Sequence, residues 1–597
     1  MRIASCAIGG LFALLLAGGA EAQSVNGSTV FTANCASCHD GAATSRAPAP
    51  EQLKARTPES IIDALTGGAM RYQGLSLSGA ERRAVAEFLT GRSVGGTKKV
   101  DPNVGRCVNP AAMKALSSAP LWNGWSVTPA NTHFQTVKGA GFSVDDLPKL
   151  TLKWAFAFPE ATSAWAQPTV AGGRLFVGGQ NGVVYALDPK SGCTIWSYET
   201  KGGVRGSVNV GPRGSGYAAY FSDQKGYAYA VDAATGKELW ATLVDPHPLI
   251  RLTGSPVLFE NKLFVPTSSY EEVGKGPTYD CCTFRGAIVV LDAKTGKEIR
   301  RSYMIADAPK SMGKRADGGE SIGPSGGAVW SAPTIDPKRR AIYVGVGNTY
   351  SGTSQPPTDG IAAFSLDDGR LLWAQQLHPG DVFGCRNDEP NCGSEQGPDY
   401  DFGASPALAR TPKGKDVLIV GQKSGMGYAL DPDRKGAVLW QYRAGKGGAL
   451  GGIEWGVATD DRKAYFPVAD GRDPGGLHAV DLDTGQRVWF AEPLKASDLL
   501  CKAGRGCTAS QSAAITVIPG AVFSGSFDGG IRAYSTKDGS ILWQFDTNKE
   551  FLTVNGVSGH GASLNGPAAV AVGGMLYVSS GDYRARTGNV LLAFGIE

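Results

Sequence analysis

After its first 22 residues, the sequence has no apolar stretch long enough to cross a membrane, and it has no long run of charge of one sign. A helical membrane span needs about 20 consecutive apolar residues. Lys and Arg number 58 against 54 Asp and Glu, so the net charge is only +4. This balance excludes a typical nucleic-acid-binding protein. With 42% hydrophobic and 19% charged residues, the chain is not wholly disordered either.

What the sequence does have is length, glycine and an odd number of cysteines. The 597 residues include 83 glycines and 11 cysteines. The length indicates several domains, or one large all-β unit with a small companion. Eleven cysteines cannot all pair with one another, so at least one has another role.

The first 22 residues have the features of a secretory signal. Arg2 is followed by an apolar run over 8–17 and by the sequence Ala20-Glu21-Ala22. These features predict cleavage before Gln23. The alternative, a membrane anchor, is disfavoured because the run is short, and no cysteine stands at the cleavage site for lipid attachment. We therefore predict an exported protein in which disulfides persist, with Cys6 removed and ten cysteines left.

A haem-attachment motif follows the signal. In Cys35-Ala36-Ser37-Cys38-His39, two thiols have the spacing that bonds haem covalently, and His39 can supply an axial imidazole. The alternatives are a redox dithiol or a zinc site, but no second pair of ligands lies nearby. We predict one covalent haem c. Met70, in a glycine-rich loop, is the expected second axial ligand to iron, with Met113 as its competitor.

A helix is predicted after the Met70 loop. Ser78 and Glu81 have the spacing of a capping box, an apolar stripe that includes Val85, Phe88 and Leu89 follows, and Gly91 ends the segment. Residues 24–92 resemble a class I cytochrome c along their whole length. Arg71 stands where such families often have proline.

The remainder of the chain is built from a repeated phrase. It reads Tyr185-Ala-Leu-Asp-Pro-Lys-Ser-Gly192 before Trp196, and Tyr229-Ala-Val-Asp-Ala-Ala-Thr-Gly236 before Trp240. Each copy is an alternating strand, an Asp/Gly turn and a second strand. Looser copies end at Arg300, Trp373, Trp440, Trp489 and Trp543.

An eighth strand of this kind, with Trp154, precedes the first full copy, and the chain ends on an unpaired strand at 589–594. Pairing these two strands would close a ring and hide its edges. We therefore predict an all-β eight-bladed β-propeller over 105–597, preceded by a signal over 1–22, a small all-α cytochrome domain over 23–92 and a linker over 93–104.

The repeated phrase, A-x-D-x-x-T-G-x-x-x-W, resembles the signature of quinoprotein dehydrogenases over nearly 500 residues. The resemblance implies pyrroloquinoline quinone (PQQ) as cofactor. A cytochrome placed before the propeller is similar to the polyvinyl alcohol dehydrogenase type of quinohaemoprotein alcohol dehydrogenase. The alternative of a different class is a scaffold propeller with the same tryptophan motif and no turnover.

The resemblance also implies a Ca²⁺ site beside the quinone, since Ca²⁺ takes carboxylate and amide oxygens. Glu272 matches the carboxylate ligand, with Glu271 in reserve, and Asn348 matches the amide ligand. The segment Asp399-Tyr400-Asp401 matches the one that supplies the catalytic Asp. Both aspartates are candidates for the base, and Asp399 is also a candidate calcium ligand.

Further positions match residues that hold PQQ in the family. Trp330 matches the aromatic that stacks under the quinone ring, and Lys423 matches the cation at the quinone oxygens. Arg205 and Thr253 match polar contacts to its carboxylates and ring oxygens. Two further candidates for the central channel are Trp455 and His560.

One departure concerns the disulfide between adjacent cysteines on which the family often stacks PQQ. Its position here reads Lys201-Gly202-Gly203, whereas an adjacent pair occurs at Cys281-Cys282. Two alternatives are open: these cysteines bond to each other near the cofactor from another direction, or each pairs elsewhere. By proximity we expect pairing of Cys385 with Cys392 and of Cys501 with Cys507. Cys107 and Cys193 would then tie the linker to the first blade. The mature protein would have no free thiol.

The expected function is oxidation of an alcohol in the periplasm, with electrons passing from the quinone through the haem to a soluble cytochrome c. The polymer polyvinyl alcohol is the expected substrate, because of the resemblance and the domain order. Small secondary alcohols and polyols are the alternatives. We expect a monomer with no membrane span and no nucleic-acid partner.

Overall fold

A computed structural model describes residues 25–39, 47–54, 56, 58–66, 70–74, 77–92, 104–274, 280–314, 319–383, 397–470, 475–502, 506–582 and 585–596. The predicted signal with Cys6, most of the predicted linker, and the predicted pair Cys385 and Cys392 lie outside these residues. Within them, no helix is long and apolar enough to cross a membrane.

The N-terminal part is a small bundle of helices. Its longest helix, Gly79–Thr90, begins with the predicted capping box: Ser78 Oγ accepts from the Glu81 amide, and Glu81 accepts from the Ser78 amide. Gly91 ends it in the left-handed conformation. The other helices are Gly27–Asn34, Pro50–Lys54, Pro58–Thr66 and Arg71–Gly74.

Two details of this bundle bear on the sequence analysis. Val85 and Leu89 are buried as predicted, but Phe88 is 48% exposed, because it lies on the flank of the helix beside Phe31. Met70 packs against the core of the bundle, whereas Met113 packs against blades of the propeller.

The remaining described residues form the predicted ring of eight four-stranded antiparallel sheets. Blades are numbered in chain order, and strands A to D run from the axis outwards. Blade 1 is Thr169–Ala171, Arg174–Gly178, Val183–Leu187 and Thr194–Glu199; blade 2 is Asn209–Arg213, Gly216–Ser222, Tyr227–Asp232 and Glu238–Leu243. Blade 3 is Val257–Phe259, Lys262–Pro266, Ala287–Asp292 and Glu298–Tyr303; blade 4 is Thr334–Asp336, Ala341–Val346, Gly360–Ser365 and Leu371–Gln376.

Blade 5 is Ala407–Arg410, Asp416–Gly421, Met426–Asp431 and Ala437–Arg443; blade 6 is Ala458–Thr459, Lys463–Val468, Gly476–Asp481 and Arg487–Ala491. Blade 7 is Thr516–Ile518, Ala521–Gly525, Gly530–Ser535 and Ile541–Asp546. Blade 8 takes Val570–Val572, Met575–Ser580 and Val590–Gly595 from the end of the chain and Thr151–Ala157 from its beginning. This last pairing confirms the predicted closure of the ring.

Short elements decorate the blades. Two-residue to five-residue ribbons pair Ile250–Arg251 with Ser268–Ser269, Lys310–Lys314 with Glu320–Gly323, Ser325–Gly326 with Thr349–Ser351, and Glu550–Phe551 with Gly559–His560. Short helices are Val137–Ala140 and Glu271–Gly274, and 3₁₀ turns are Leu116–Ser118, Val144–Lys149, Pro432–Arg434 and Ala496–Asp498.

The repeated phrase is the joint between neighbouring blades. In blade 2, Asp232 Oδ1 accepts from the amide of Thr235 and from its hydroxyl, and Gly236 turns the chain at φ 75°. A Cβ on Gly236 would lie 2.8 Å from the ring of Trp196 in blade 1. The glycine therefore provides both the left-handed turn and the space for the preceding blade's tryptophan.

The tryptophans also bond across the joints. Five indole N–H groups donate to a backbone carbonyl of the next blade at 2.9–3.3 Å, namely those of Trp154, Trp196, Trp240, Trp440 and Trp489. In blade 3 the same place is taken by Arg300, whose guanidinium donates to the carbonyls of Leu366 and Asp367 at 2.7 and 2.8 Å. Although this copy of the repeated phrase ends in Arg300 and not in tryptophan, its last residue still bonds to the next blade.

A segment before the first blade, 121–135, closes the ring from below, and sequence periodicity gave no sign of it. It bonds to the innermost strands of six blades: Trp122 to Val170, Asn123 to Val210, Pro129 to Ile335, Ala130 to Leu408, Thr132 to Thr459, and Gln135 to Val517. Trp122 and His133 are completely or almost completely buried there. The axis of the propeller is therefore filled on this side.

Three disulfides are present among the described residues. Cys107 pairs with Cys193 and fixes the start of the propeller segment to blade 1, as predicted. Cys501 pairs with Cys507, also as predicted, and Cys281 pairs with its neighbour Cys282.

We expect Arg300→Met to lower the free energy of unfolding by about 1–2 kcal/mol, because two hydrogen bonds from a charged donor across the joint between blades 3 and 4 are lost. Arg300→Trp should lose less, since an indole can use the same docking site. Thermal unfolding of both variants measures this. Equal losses for Met and Trp would contradict the docking role.

Candidate active site

One residue from each of seven blades faces the axis at the same structural position, four residues before strand A. Trp165 precedes Thr169–Ala171 in this way, and Arg205 precedes Asn209–Arg213. Along the ring the position is held by Trp165, Arg205, Thr253, Trp330, Gly403, Trp455 and Gly566, with a shift of one residue at blade 6, and all of these line one narrow pocket of about 20 Å³. Trp125 of the axial segment also lines this pocket.

Aromatic and cationic groups are packed tightly in this pocket. The rings of Trp330 and Trp455 meet edge to face at 4.9 Å, and the Arg205 guanidinium lies 4.1 Å from the centre of the Trp455 ring. Gly403 leaves the space that Trp330 occupies, since a Cβ there would lie 1.9 Å from the indole. The predicted residues Trp330, Arg205, Thr253 and Trp455 thus come together around one cavity.

Beside the pocket lies a buried cluster of carboxylates around one lysine. Lys423 Nζ is 2.7 Å from Asp399 Oδ2 and 3.6 Å from Asp401 Oδ2. Burial alone would lower the pKa of Lys423, but Asp401 and Asp399 raise it above its ordinary value. Burial, and then the charge of Asp401, raise the pKa of Asp399 to about 8.

The two aspartates have different surroundings. Asp401 accepts from the indole of Trp330 at 3.2 Å and from the backbone amide of Asn348 at 2.9 Å. Asp399 has φ 62°, and its Oδ1 is buried without a hydrogen-bond partner among the described residues. Asp401 therefore positions its neighbours, while Asp399 keeps one oxygen available for another group.

The two adjacent glutamates also differ. Glu271 is completely buried, and its carboxylate accepts from the amides of Thr283 and Phe284 at 2.8 Å each. It therefore fixes a loop. Glu272 interacts with the aspartates instead: burial, followed by the charges of Asp399 and Asp401, raises its pKa well above the ordinary value.

The side-chain oxygens near this cluster fit a hard cation. Asn348 donates through Nδ2 to the carbonyls of Thr349 and Phe383, so its Oδ1 points elsewhere and is buried without a partner in the described part of the chain. Asn348 Oδ1 and Asp399 Oδ1 are thus two buried oxygens without a partner among the described residues. The carboxyl of Glu272, whose pKa is raised by burial and then by the charges of Asp399 and Asp401, is near them. A cation would satisfy the oxygens and offset the negative charge. Among the described residues, no three His, Cys, Asp or Glu side chains form a metal site by themselves.

The predicted haem ligands lie on the N-terminal bundle. His39 is 5% exposed, and its Nδ1 lies 2.7 Å from the carbonyl of Pro48. This contact orients the ring and leaves Nε2 for iron. Cys35 and Met70 pack against the same apolar core. The arrangement fits a haem between the motif and the Met70 segment.

The bundle contacts the propeller through its last helix. Arg82 is 3% exposed, and its guanidinium donates to the carbonyl of Gly74 at 3.2 Å and to that of Gln180 in blade 1 at 2.9 Å. Lys225 of blade 2 donates to Glu81 at 2.6 Å. Arg82 thus joins the segment after Met70 to the propeller.

Comparison with known proteins decides the family. A polyvinyl alcohol dehydrogenase of Pseudomonas sp. is 36% identical over 99% of this chain and 97% of its own length. The polyvinyl alcohol dehydrogenase of Sphingopyxis sp. (strain 113P3) is 38% identical over 96% of this chain and 93% of its own. The chain belongs to the polyvinyl alcohol dehydrogenase family.

Other comparisons agree with the two domains. A family model described as cytochrome c oxidase, cbb3-type, subunit III, matches residues 22–89, and one described as outer membrane protein assembly factor BamB matches 141–316 and 473–591. The structure of a quinohaemoprotein alcohol dehydrogenase, ADHIIG of Pseudomonas putida HK5, has a TM-score of 0.61 at 18% identity, covering 84% of this chain and 83% of that one. This likeness concerns the fold alone.

Membership of this dehydrogenase family makes the chain a PQQ-dependent alcohol oxidoreductase with a c-type haem and confirms the predicted enzyme class. The non-catalytic scaffold is thereby set aside.

Two residues close to this site were not predicted from the sequence. Trp165 lines the pocket, and its sequence Trp165-x-x-Pro168 repeats that of Trp330-x-x-Pro333, which was a usable signal. Asp359 is completely buried near the carboxylate cluster, with both side-chain oxygens unpartnered among the described residues. Burial and the charge of Asp401 raise its pKa. A single aspartate in a loop has no sequence pattern that would predict such a buried position.

Of two further candidates, His560 is placed differently from expectation, whereas Cys281 and Cys282 follow the first of the two expected alternatives and bond to each other. His560 is exposed on the ribbon Gly559–His560 and is not among the pocket-lining residues. The disulfide Cys281–Cys282 is buried and bonds to the ribbon strand Glu320–Gly323 through Ile322, in an apolar cluster against which Trp330 also packs. It therefore approaches the site from blade 3, away from Lys201-Gly202-Gly203.

We expect Asp399→Asn to reduce turnover by about 10²–10⁴-fold, the usual contribution of a general base.

The same change should raise the stability of the cofactor-free, metal-free protein at pH 7. Because the pKa of Asp399 is raised from 3.8 to about 8, its ionisation makes stability fall as pH rises between these values. Thermal unfolding at pH 4 and pH 8 measures this, and the gain should be confined to the higher pH.

Proposed function

We propose that the protein oxidises secondary alcohol groups of polyvinyl alcohol to ketones in the periplasm, using Ca²⁺ with PQQ and passing electrons through its own haem to a soluble cytochrome c. The observation that carries the proposal is the buried Oδ1 of Asp399, which has no hydrogen-bond partner among the described residues and lies beside Lys423, next to a pocket lined by tryptophan. The polymer is the substrate in the names of the two full-length relatives.

Asp399 is the proposed base that takes the proton of the substrate hydroxyl. Its oxygen needs no rearrangement, because Lys423 holds the other oxygen of the same carboxylate at 2.7 Å. Asp401 holds the indole of Trp330 and the amide of Asn348 and so maintains the distance between base and pocket floor. We assign Asp401 a positioning role.

The pocket residues fit a flat, anionic quinone. Trp330 offers a stacking face, and Arg205 and Thr253 offer polar contacts on the same ring of residues. PQQ, when bound, accepts the two electrons and the hydrogen that leave the alcohol carbon. Trp455 orients Arg205 through their 4.1 Å cation–π contact.

Glu272 and Asn348 are the proposed Ca²⁺ ligands; Asp399, the third candidate, has one oxygen without a partner among the described residues, and this proposal assigns that oxygen to the base. Such an ion supplies Lewis acidity at the quinone when bound. Asn348 has its amide nitrogen committed to two carbonyls, so its oxygen is oriented in advance. Glu271 is excluded from this role in the proposal, since two backbone amides already bond its carboxylate.

Cys35 and Cys38 are the proposed thioether links to haem, with His39 and Met70 as the proposed axial ligands. Arg82 holds the Met70 side of the bundle against blade 1, which suits transfer of single electrons from the pocket to the haem. The predicted signal would export the protein. We propose that it acts as a monomer and passes its electrons to a soluble acceptor.

The function is tested by oxidation of polyvinyl alcohol, of 2-propanol and of a polyol, with and without added PQQ and Ca²⁺. A dye reports electrons at the quinone, and the haem spectrum reports electrons that reach iron. Oxidation of small alcohols but not of the polymer would replace the proposed substrate with the first alternative. No oxidation of any alcohol by protein loaded with both cofactors would disprove the proposal.

We expect Glu272→Gln to abolish the rise in thermal midpoint that Ca²⁺ gives the wild-type protein, because one ligand charge is lost. This measurement needs no turnover. Asn348→Asp is the matched control, since it retains an oxygen ligand. A Ca²⁺-dependent rise in Glu272→Gln equal to that of the wild type would contradict the assignment.

We expect Arg82→Met to slow reduction of the haem by substrate several-fold and to leave dye reduction at the quinone unchanged, because only the attachment of the bundle is altered. Stopped-flow absorbance of the haem measures the first rate. Lys54→Met is the control, since its ion pair with Glu51 is exposed and lies within the bundle. Equal rates of haem reduction in Arg82→Met and wild type would contradict the role of Arg82.

A further inference from the structure

A wide groove lies on the same end of the propeller as the active-site pocket. Its walls come from the connection between blades 5 and 6, the loop of Ala469 and Asp470 in blade 6, and the connection between blades 6 and 7. The connections between blades also carry the pocket residues. The groove encloses about 880 Å³ and is open to solvent.

The groove adjoins the catalytic cluster at two points. The Gly448 amide in its wall donates to the backbone carbonyl of Lys423 at 3.1 Å, and the side chain of Lys423 ends at Asp399. On the other wall, Ser510 lies two residues before Ser512, which bonds to Glu454 beside Trp455 of the pocket. The groove and the pocket thus share the connection between blades 5 and 6, which carries both Leu450 and Trp455.

The lining combines apolar groups with hydroxyl and charged groups. Leu450 is 68% exposed, an unusual degree for leucine, and Leu494 and Leu499 are half-buried along the same groove. In the opposite wall, Thr508 donates to the hydroxyl of Ser510 at 2.9 Å. A chain of methylene and hydroxyl-bearing carbons presents both kinds of group, apolar and hydrogen-bonding, to such a lining.

The groove is held in shape before any ligand arrives. Asp470 accepts from the amides of Lys446, Gly447 and Gly452 at 2.6, 3.1 and 2.8 Å, which fixes one wall. The disulfide Cys501–Cys507 closes the loop of the other wall. A preformed surface loses less conformational entropy on binding than a flexible one.

We propose that this groove binds the segment of polyvinyl alcohol that flanks the reacting hydroxyl group. The inference rests on the proposed function and adds to it a site for the part of the chain that does not react. A hydroxyl in the middle of a polymer carries chain on both sides, and a pocket of about 20 Å³ cannot hold these flanks. They must lie on the face where the pocket opens, and the groove is a large surface with apolar and polar groups on that face.

The test compares polymer with a small alcohol in two groove variants. Leu450→Ser removes an apolar contact, and Ala496→Trp fills the groove. We expect each to raise KM for polyvinyl alcohol about tenfold, equivalent to the loss of one good contact, and to leave kcat/KM for 2-propanol unchanged. Leu371→Ser, an exposed leucine on the outer strand of blade 4, is the matched control and should change neither.

Direct binding separates this inference from the proposed function. Equilibrium dialysis with labelled polyvinyl alcohol needs no turnover, and binding should weaken in Leu450→Ser and Ala496→Trp but not in Leu371→Ser. Unchanged polymer binding and KM in both groove variants would overturn the inference. Polymer binding that depends on the groove, without polymer oxidation by the wild type, would support the groove and overturn the proposed substrate instead.

Discussion

The contact on which the structure depends is the joint between one blade and the next. A single four-stranded sheet of this size cannot bury its two faces, so each blade is stable only against its neighbours. Tryptophan docking supplies the joint: the indole lies over a glycine of the next blade and donates to a carbonyl there. The pairing of Thr151–Ala157 with Val590–Gly595 then extends the same arrangement round the full circle.

The site follows from this geometry. Each blade begins near the axis after an equivalent turn. In successive blades the residue four positions before strand A therefore faces the axis. A repeat that serves stability thus gives the ring of positions on which Trp330, Arg205 and Thr253 are placed. The carboxylates have the opposite effect on stability, since burial beside one another raises the pKa of Asp399 and Glu272.

Much of the fold could be predicted from the sequence because its signals are local. The capping box at Ser78 and Glu81, the Asp/Gly turns and the spacing of the tryptophans depend on residues close together in the chain. The candidate site came from family resemblance, since no local pattern places Lys423 beside Asp399. Glu271 and Glu272 could not be distinguished until the loop of Thr283 folds back on one of them. The axial segment 121–135 has no periodicity, because its bonds are to six distant blades.

The axial segment 121–135 determines how molecules can enter and leave the propeller. By bonding to the inner strands of six blades and placing Trp125 at the pocket, it leaves the propeller with a floor where a ring would otherwise have a through-channel. Cofactor, substrate and product must all use one mouth. PQQ and the alcohol would therefore share one entrance, and each oxidised product would leave by the route by which its alcohol entered.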